Sequence, residues 1–469
     1  MSDDPAKAFL AALAGESTER VLLAGLPGEL GNCIRRCAIP HHFNADILTV
    51  LSSDLGIKLD AVMDELVRLP IVNEDDSGLF IHETIRNTMF RGWLTGPDVQ
   101  LFKDLNRRLV ESFVLRQKQR LDESFDSFVQ SIVFHTFAYD ETHAIQLFGT
   151  LFQHERERQR LGSCQLAIDW AAEYGNYLGP RTRTQLNLYS GIVAGELKNF
   201  DQAINAFLLA KQGDPTSAEV QVKAALGLAQ AYAELQRFDE AFAACVHAYD
   251  SARAHFASLI PDVLLAWGRI LRDGGRLSEA EGRLIESARL AGDLGHNAVA
   301  AGALNALGAL YRQRNDPRAA IRTLQSALGY LDATQDTRLV ARAKSNIGAL
   351  MCDLNEWADA EKYLLDALRT YRQLGDKSGE AATLNNLLRV NLHEARSADA
   401  ISNATNASIL FVELRDYYAG AVARVNLAKI LRKEGKHEEW KRPLAEAISL
   451  FEQANATSEA AFHRQQLLS

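Results

Sequence analysis

The chain has 469 residues, 47% of them hydrophobic and 24% charged, with a formal net charge of -9. That length exceeds what one hydrophobic core organises, so it calls for several domains or for a structure that grows in one dimension. The acidic balance argues against general affinity for nucleic acid, which needs clustered Lys and Arg against phosphate, and no run reaches the roughly 20 apolar residues of a membrane span.

Residues 1–20, MSDDPAKAFLAALAGESTER, lack the basic region and apolar core of a secretory leader. Five cysteines, at 33, 37, 164, 245 and 352, are too few and too scattered for a disulfide framework. A cytoplasmic protein is expected.

Residues 21–96 have a grammar of their own. A helix over PGELGNCIRRCAIP is closed by Pro40, and ADILTVLSSDLG and KLDAVMDELVRLP repeat apolar residues at helical spacing. Two strand-like runs, PIVN and LFIH, flank the turn-forming EDDSG, and a further helix starts at Glu83. Three helices and a hairpin predict a winged helix with a core of Ile47, Leu48, Leu51, Val62, Leu66, Leu69, Val72 and Phe80. Its third helix sets Lys58 and Arg68 against Asp60, Asp64 and Glu65, and its wing reads Asn73-Glu74-Asp75-Asp76. A DNA reader needs cations there, so a structural or regulatory module is expected and no DNA partner.

LFIHETIRNTMF and the preceding LPGELGNCIRRCAIPHHFNADIL resemble the winged helix that ends the nucleotide-binding region of STAND-type signalling ATPases. The resemblance matches Ile81-His82-Glu83 to the family's hydrophobic-His-acid triplet, whose His contacts nucleotide phosphates, and implies a repeat sensor further along the chain. No G-x-x-x-x-G-K-[ST] occurs, however. Gly25, Gly28 and Gly31 are not followed by Lys-Ser/Thr, and Lys344-Ser345 and Lys377-Ser378 fall within the repeats. No nucleotide or other cofactor is therefore expected, and His82 is read as an anchor of the strand-to-helix turn.

Residues 97–183 read as a helical bridge. FVQSIVFHTFAYDETHAIQLFGTLF, with Ala144 at the small position, looks like a degenerate repeat. His135, His143 and His154 lack paired ligand spacing, and Cys33 and Cys37 have no second pair to complete a tetrahedral site, so no metal is expected.

From 184 to 469 a helical pair recurs. Its small position falls at Gly191, Ala229, Gly268, Gly308, Gly348, Leu388 and Ala428, the last five spaced by 40 residues. Twelve residues later come Ala203, Ala241, Ala280, Ala320, Ala360 and Ala400, with Trp440 breaking the series. Such a register defines a solenoid whose units bury their apolar faces against one another. ALNALGALYRQRNDPRAAIRTLQSAL, through Leu307-Gly308, Tyr311, Ala320, Leu324 and Ala327, resembles a tetratricopeptide repeat. LGDKSGEAATLNNL is similar to the long-repeat subgroup of STAND sensors and peptide-binding adaptors, and TSEAAFHRQQLLS reads as a capping helix. The predicted fold class is all-α: a solenoid of about seven to eight tetratricopeptide-like repeats after a small winged helix.

The resemblance implies that first helices line a concave groove, reached by the residue two before each small position. Those residues are Tyr189, Gly227, Ala266, Ala306, Asn346, Asn386 and Asn426. An Asn amide both donates and accepts, which suits a peptide backbone, and the resembling adaptors hold extended peptides through Asn at this slot. Arg269, Arg389 and Lys429 stand one past the small position, Arg272, Arg312 and Arg432 four past it, and Arg342 and Arg424 just upstream, with Asp353 a carboxylate exception. The expected peptide-binding set is Asn346, Asn386, Asn426, Arg342, Arg389, Lys429 and Arg432. It would take a protein or peptide partner of acidic character, a phosphorylated segment or a C-terminus. Ligand binding is expected to shift the superhelix pitch and move the N-terminal module, which requires differential affinity for the two states. With no G-x-S-x-G and no Cys in a catalytic setting, and with Glu438-Glu439 on an exposed helix, the chain is expected to be a sensor or adaptor and not an enzyme. The alternatives are the regulatory half of a STAND-type switch with its nucleotide-binding chain elsewhere, and a winged-helix transcriptional regulator.

Overall fold

A computed structural model describes residues 26, 28–119, 125–158, 160–331, 337–436 and 439–468. The N-terminal segment 1–20, Gly25 and Glu438 lie outside the described residues. Those described form 23 α-helices and one antiparallel strand pair, and no helix among them is long and apolar enough to cross a membrane. The chain divides into two compact units, 1–231 and 232–469.

The first unit begins with α1 (Gly28–Cys37), α2 (Ala45–Ser52), α3 (Leu59–Val67), β1 (Val72–Asp75), β2 (Gly78–Ile81) and α4 (Glu83–Thr95). Asn44 starts α2 by accepting the Ile47 N–H at 3.0 Å, which satisfies a donor the helix cannot. The hairpin pairs Val72 with Ile81 and Asp75 with Gly78. The turn is therefore only Asp76-Ser77, closed by the Ser77 N–H to Asp75 Oδ1 at 2.7 Å, and not the five residues EDDSG. Strand alternation then buries Leu79 and Ile81 and turns Phe80 outward beside the His42 ring. Phe80 thus leaves the expected core. Leu48, Val62, Leu66 and Val72 are in it, Ile47 and Leu69 pack at its edge, and Leu51 joins a second cluster. His82 sits at the strand-to-helix turn: its N–H donates to Ile71 O at 2.8 Å and its carbonyl accepts the Ile85 N–H.

That second cluster is aromatic. It joins α4 to α5 (Val99–Gln119), α6 (Phe125–Thr136), α7 (Glu141–Glu157) and α8 (Leu161–Ala172) through Phe90, Trp93, Phe102, Phe134 and Tyr174. Ring centroids from Phe90 to Phe102, Phe134 and Tyr174 lie 5.8, 5.6 and 5.3 Å apart. Beside it His41 stacks on Trp170 at 3.9 Å and donates Nε2–H to Glu173 Oε1 at 2.7 Å. Arg86 donates to Glu173 Oε2 at 2.8 Å and to Pro40 O at 3.1 Å. Burial, aided by the Arg86 charge, outweighs the carboxylate and holds the His41 imidazole down to about 4. The unit continues with α9 (Pro180–Glu196), α10 (Phe200–Gln212) and α11 (Ala218–Glu234).

The second unit contains α12 (Phe238–His255) and then pairs: α13 (Ile260–Asp273) with α14 (Leu277–Asp293), α15 (Asn297–Gln313) with α16 (Pro317–Leu331), α17 (Thr337–Asp353) with α18 (Trp357–Gln373), α19 (Lys377–His393) with α20 (Ser397–Glu413), α21 (Tyr417–Lys433) with α22 (Lys441–Gln453), and a last helix α23 (Thr457–Leu468). The fold is an α-solenoid. Its pairs close on the small position: a Cβ on Gly268, Gly308 or Gly348 would come within 2.6, 2.8 and 2.6 Å of Leu284, Leu324 and Leu364. Leu388 keeps the same geometry by exchange, because the residue sixteen further on is Ala404 where the other pairs have Leu. Each pair turns through a left-handed residue, Gly275, Asn315, Asn355, Ala395 and Gly435, at the same 40-residue interval. There the chain doubles back with bonds such as Glu356 N–H to Met351 O and Arg396 N–H to Asn391 O, a Schellman closure. An L side chain is strained in that conformation. Ala395→Gly is therefore expected to stabilise the second unit by about 1 kcal/mol, read as a raised melting temperature; an unchanged or lowered one would refute the strain.

Candidate functional site

Five first helices of the second unit, α13, α15, α17, α19 and α21, carry equivalent positions around the small residue. The slot two before it, expected to open into a groove, lies at the seam between successive pairs. In the first unit a Cβ on Gly227 would run into the Phe207 ring, and Tyr189 packs on Phe152 at 4.5 Å. In the second unit Ala306 is buried with Leu284. Asn346, Asn386 and Asn426 occupy this seam half-buried, and none makes a side-chain hydrogen bond among the described residues.

The slot one residue earlier is polar too, which the sequence reading missed. Asn305 is 5% exposed with neither amide atom partnered, and Asn385 Oδ1 is buried without a partner. Ser345, between them in register, bonds Thr383 at 3.0 Å. The signal was available as Asn305, Ser345 and Asn385 at 40-residue spacing.

The expected basic face is interrupted. Asp353 draws Arg389 to 2.6 Å and Arg312 to 3.4 Å, because it stands between the neighbouring first helices that carry them. Arg389 is thus committed to an ion pair and not free for a ligand. Arg424 pairs with Glu446 at 3.3 Å, Arg272 with Asp273 at 2.8 Å, and Arg432 lies over the Trp440 ring at 5.1 Å. Arg269, Arg342 and Lys429 have no ion-pair partner among the described residues. Burial, then the charges of Arg342 and Arg272, hold Arg269 down to about 10.

All five cysteines are free and buried, and no group of three or more metal-ligating side chains occurs among the described residues. The first unit holds sizeable cavities. One of about 1020 Å³ lies along α7 and α9 against Gln146, Gln153, Gln185 and Tyr189. Another of about 820 Å³ lies beside His41, Arg116, Phe134 and Trp170.

Residues 303–339 and 340–374 each match the tetratricopeptide repeat family. Over 120 residues, 26% of this chain, the sequence is 31% identical to the regulatory protein AfsR of Streptomyces griseus, of which it covers 11%. In fold the chain is similar to a signal transduction ATPase with numerous domains, a STAND protein with a tetratricopeptide repeat sensor, from Pyrococcus horikoshii. That likeness has a TM-score of 0.50 at 13% identity, over 95% of this chain and 66% of the other. The chain thus spans about a tenth of the regulatory protein and 66% of the ATPase.

Proposed function

We propose that the protein is an interaction sensor or adaptor, not an enzyme, and that it holds an extended peptide or protein segment along the first helices of its second unit. The row Asn346, Asn386 and Asn426 carries this reading: three half-buried amides, 40 residues apart, without internal partners. Amides that still reach solvent and lack internal partners are available to a segment whose backbone supplies C=O and N–H groups at that row, with bonds of both senses. Arg342, Lys429 and Arg432, which form no ion pair among the described residues, favour an acidic segment. Buried free thiols suit a reducing compartment such as the cytoplasm.

The triple substitution Asn346→Ala, Asn386→Ala, Asn426→Ala is expected to abolish recovery of the partners that the intact chain captures from its native host, identified by mass spectrometry. Helicity and melting stay as they were. Undiminished capture by a folded triple variant sinks the reading.

The likeness in fold to a STAND protein supports a second reading. Here the order three helices, hairpin, helix is a winged helix, and the chain is the regulatory half of a switch whose nucleotide-binding part is a separate chain. Recovery of an ATPase without its own repeat sensor in the same capture favours it.

A further inference from the structure

We infer that the second unit carries a site for a phosphoryl group borne on the bound segment, built by Arg269, Asn305 and Arg342 on three successive first helices. The inference rests on the segment-binding reading above and adds the chemistry of one recognised group.

Register brings these residues to one face. Arg269 follows Gly268 on α13, Asn305 precedes Gly308 by three on α15, and Arg342 precedes Gly348 by six on α17. Positions six before, three before, one after and four after the small residue share one side of a helix. On α15 the first of these is Gly302, which leaves a notch. A Cβ at Gly302 would stand 3.6 Å from Arg269 Nη2 and 3.2 Å from Leu265 Cδ2. The Arg269 guanidinium therefore lies against bare backbone of the next first helix, on the side where Arg342 stands one helix further on.

Two observations mark this notch as a place for an anion. Neither guanidinium forms an ion pair or a hydrogen bond among the described residues, unlike Arg312 and Arg389, which share Asp353, though the Asp273 charge acts on Arg269 from further off. The carboxylates nearby are engaged elsewhere: Asp273 by Arg272 at 2.8 Å and Asp376 by Arg338 at 3.5 Å. Burial is the first cause of the depressed Arg269, and the like charges of Arg342 and Arg272 add to it. On the same face of α15 as Gly302, Asn305 is 5% exposed with both amide atoms unpartnered. Native side chains in that state call for a missing partner.

The charge count selects the ligand. Two unopposed guanidinium groups match the roughly -1.5 to -2 charge of a phosphomonoester, and its oxygens accept from planar Arg forks and from an amide NH2. A single carboxylate would leave one positive charge uncompensated.

The test titrates the full chain with N-acetyl-phosphoserine-N-methylamide, inorganic phosphate and acetate at fixed ionic strength, read by NMR line broadening. The capped phosphoserine is expected to bind about tenfold tighter than acetate, and Arg269→Gln with Arg342→Gln to lose about that factor. Helicity and melting are followed alongside, and Arg269→Lys with Arg342→Lys, which keeps both charges, is expected to regain part of the affinity. Arg289→Gln, on a second helix and paired with Asp293 at 3.0 Å, should change nothing. Equal binding by the folded Gln variant, or acetate binding as tightly as phosphoserine, overturns the site. Tighter binding of inorganic phosphate than of the capped residue overturns its assignment to a segment. The triple Asn variant separates the two readings: it should lose segment capture yet keep phosphoserine binding, so each failure is seen on its own.

Discussion

Glu173→Ala is expected to destabilise the first unit by about 3 kcal/mol, the low end for breaking a buried ion pair by removal of one partner. The side chain it strands is Arg86, 4% exposed, which keeps the carbonyls of Pro40 and Ile39 but loses its only counter-charge among the described residues. The same carboxylate receives the His41 N–H, so two segments distant in sequence lose their common acceptor at once. The pH dependence has a definite sign. His41 protonates near the ordinary 6.5 in the unfolded chain but only at about 4 in the fold. As pH falls below 6.5 the unfolded chain binds a proton that the folded one refuses, and stability declines by roughly 3 kcal/mol towards pH 4. Burial pushes the Glu173 carboxyl up, but the His41 hydrogen bond and the Arg86 charge outweigh it and leave the group below its ordinary value of 4.5. Its contribution is present above that value and is lost at lower pH, in the same direction. Melting curves from pH 7.5 to 4.5 check both claims. His41→Gln, which can still donate to Glu173, should flatten the profile between 6.5 and 4, and an unaltered profile would refute the neutral His41.

Ala404→Leu is expected to cost about 1–3 kcal/mol in the second unit by overpacking. Ala404 is fully buried in the cluster that holds Leu388, so added methyl groups meet packed side chains. Leu388→Ala alone opens a cavity worth about 2–5 kcal/mol. Together they rebuild the arrangement that Ala428 and Leu444 have in the next pair. The double variant should therefore return to within about 1 kcal/mol of the parent, a strong coupling between the two sites. Additive losses in denaturant unfolding would show that the two positions do not exchange volume.

The repeat was legible because its cause is local. A Cβ at Gly268, Gly308 or Gly348 already presses on a leucine sixteen residues on, so smallness recurs at a fixed interval. Leu388 reads as a break in that series, because only the packed pair reveals that Ala404 compensates. The hairpin was legible as two strands, but Glu74 and Asp75 look like turn residues and belong to the ladder on an exposed strand. With Gly78 also in the ladder the turn is three residues shorter than EDDSG, and that odd difference turns Phe80 out and Leu79 in. At the candidate site the Asn row was found from the period, while its position at a seam depends on how far the preceding pair leans on it. Which cations stay free depends on Asp353 reaching Arg389 across 36 residues, a matter of side-chain reach between adjacent helices that spacing alone does not encode.

The exchange of Leu388 with Ala404 bears on how such an array can be rearranged by recombination. A crossover between a first helix and its second would part a large residue from the small one cut to fit it, giving either a clash or a void. A crossover in the turn after a second helix keeps each matched couple whole. The heritable module is thus the bonded pair with its own volume key, and duplications or losses along this chain should have joints near residues 295, 375, 415 and 455, where the backbone already turns through the left-handed region.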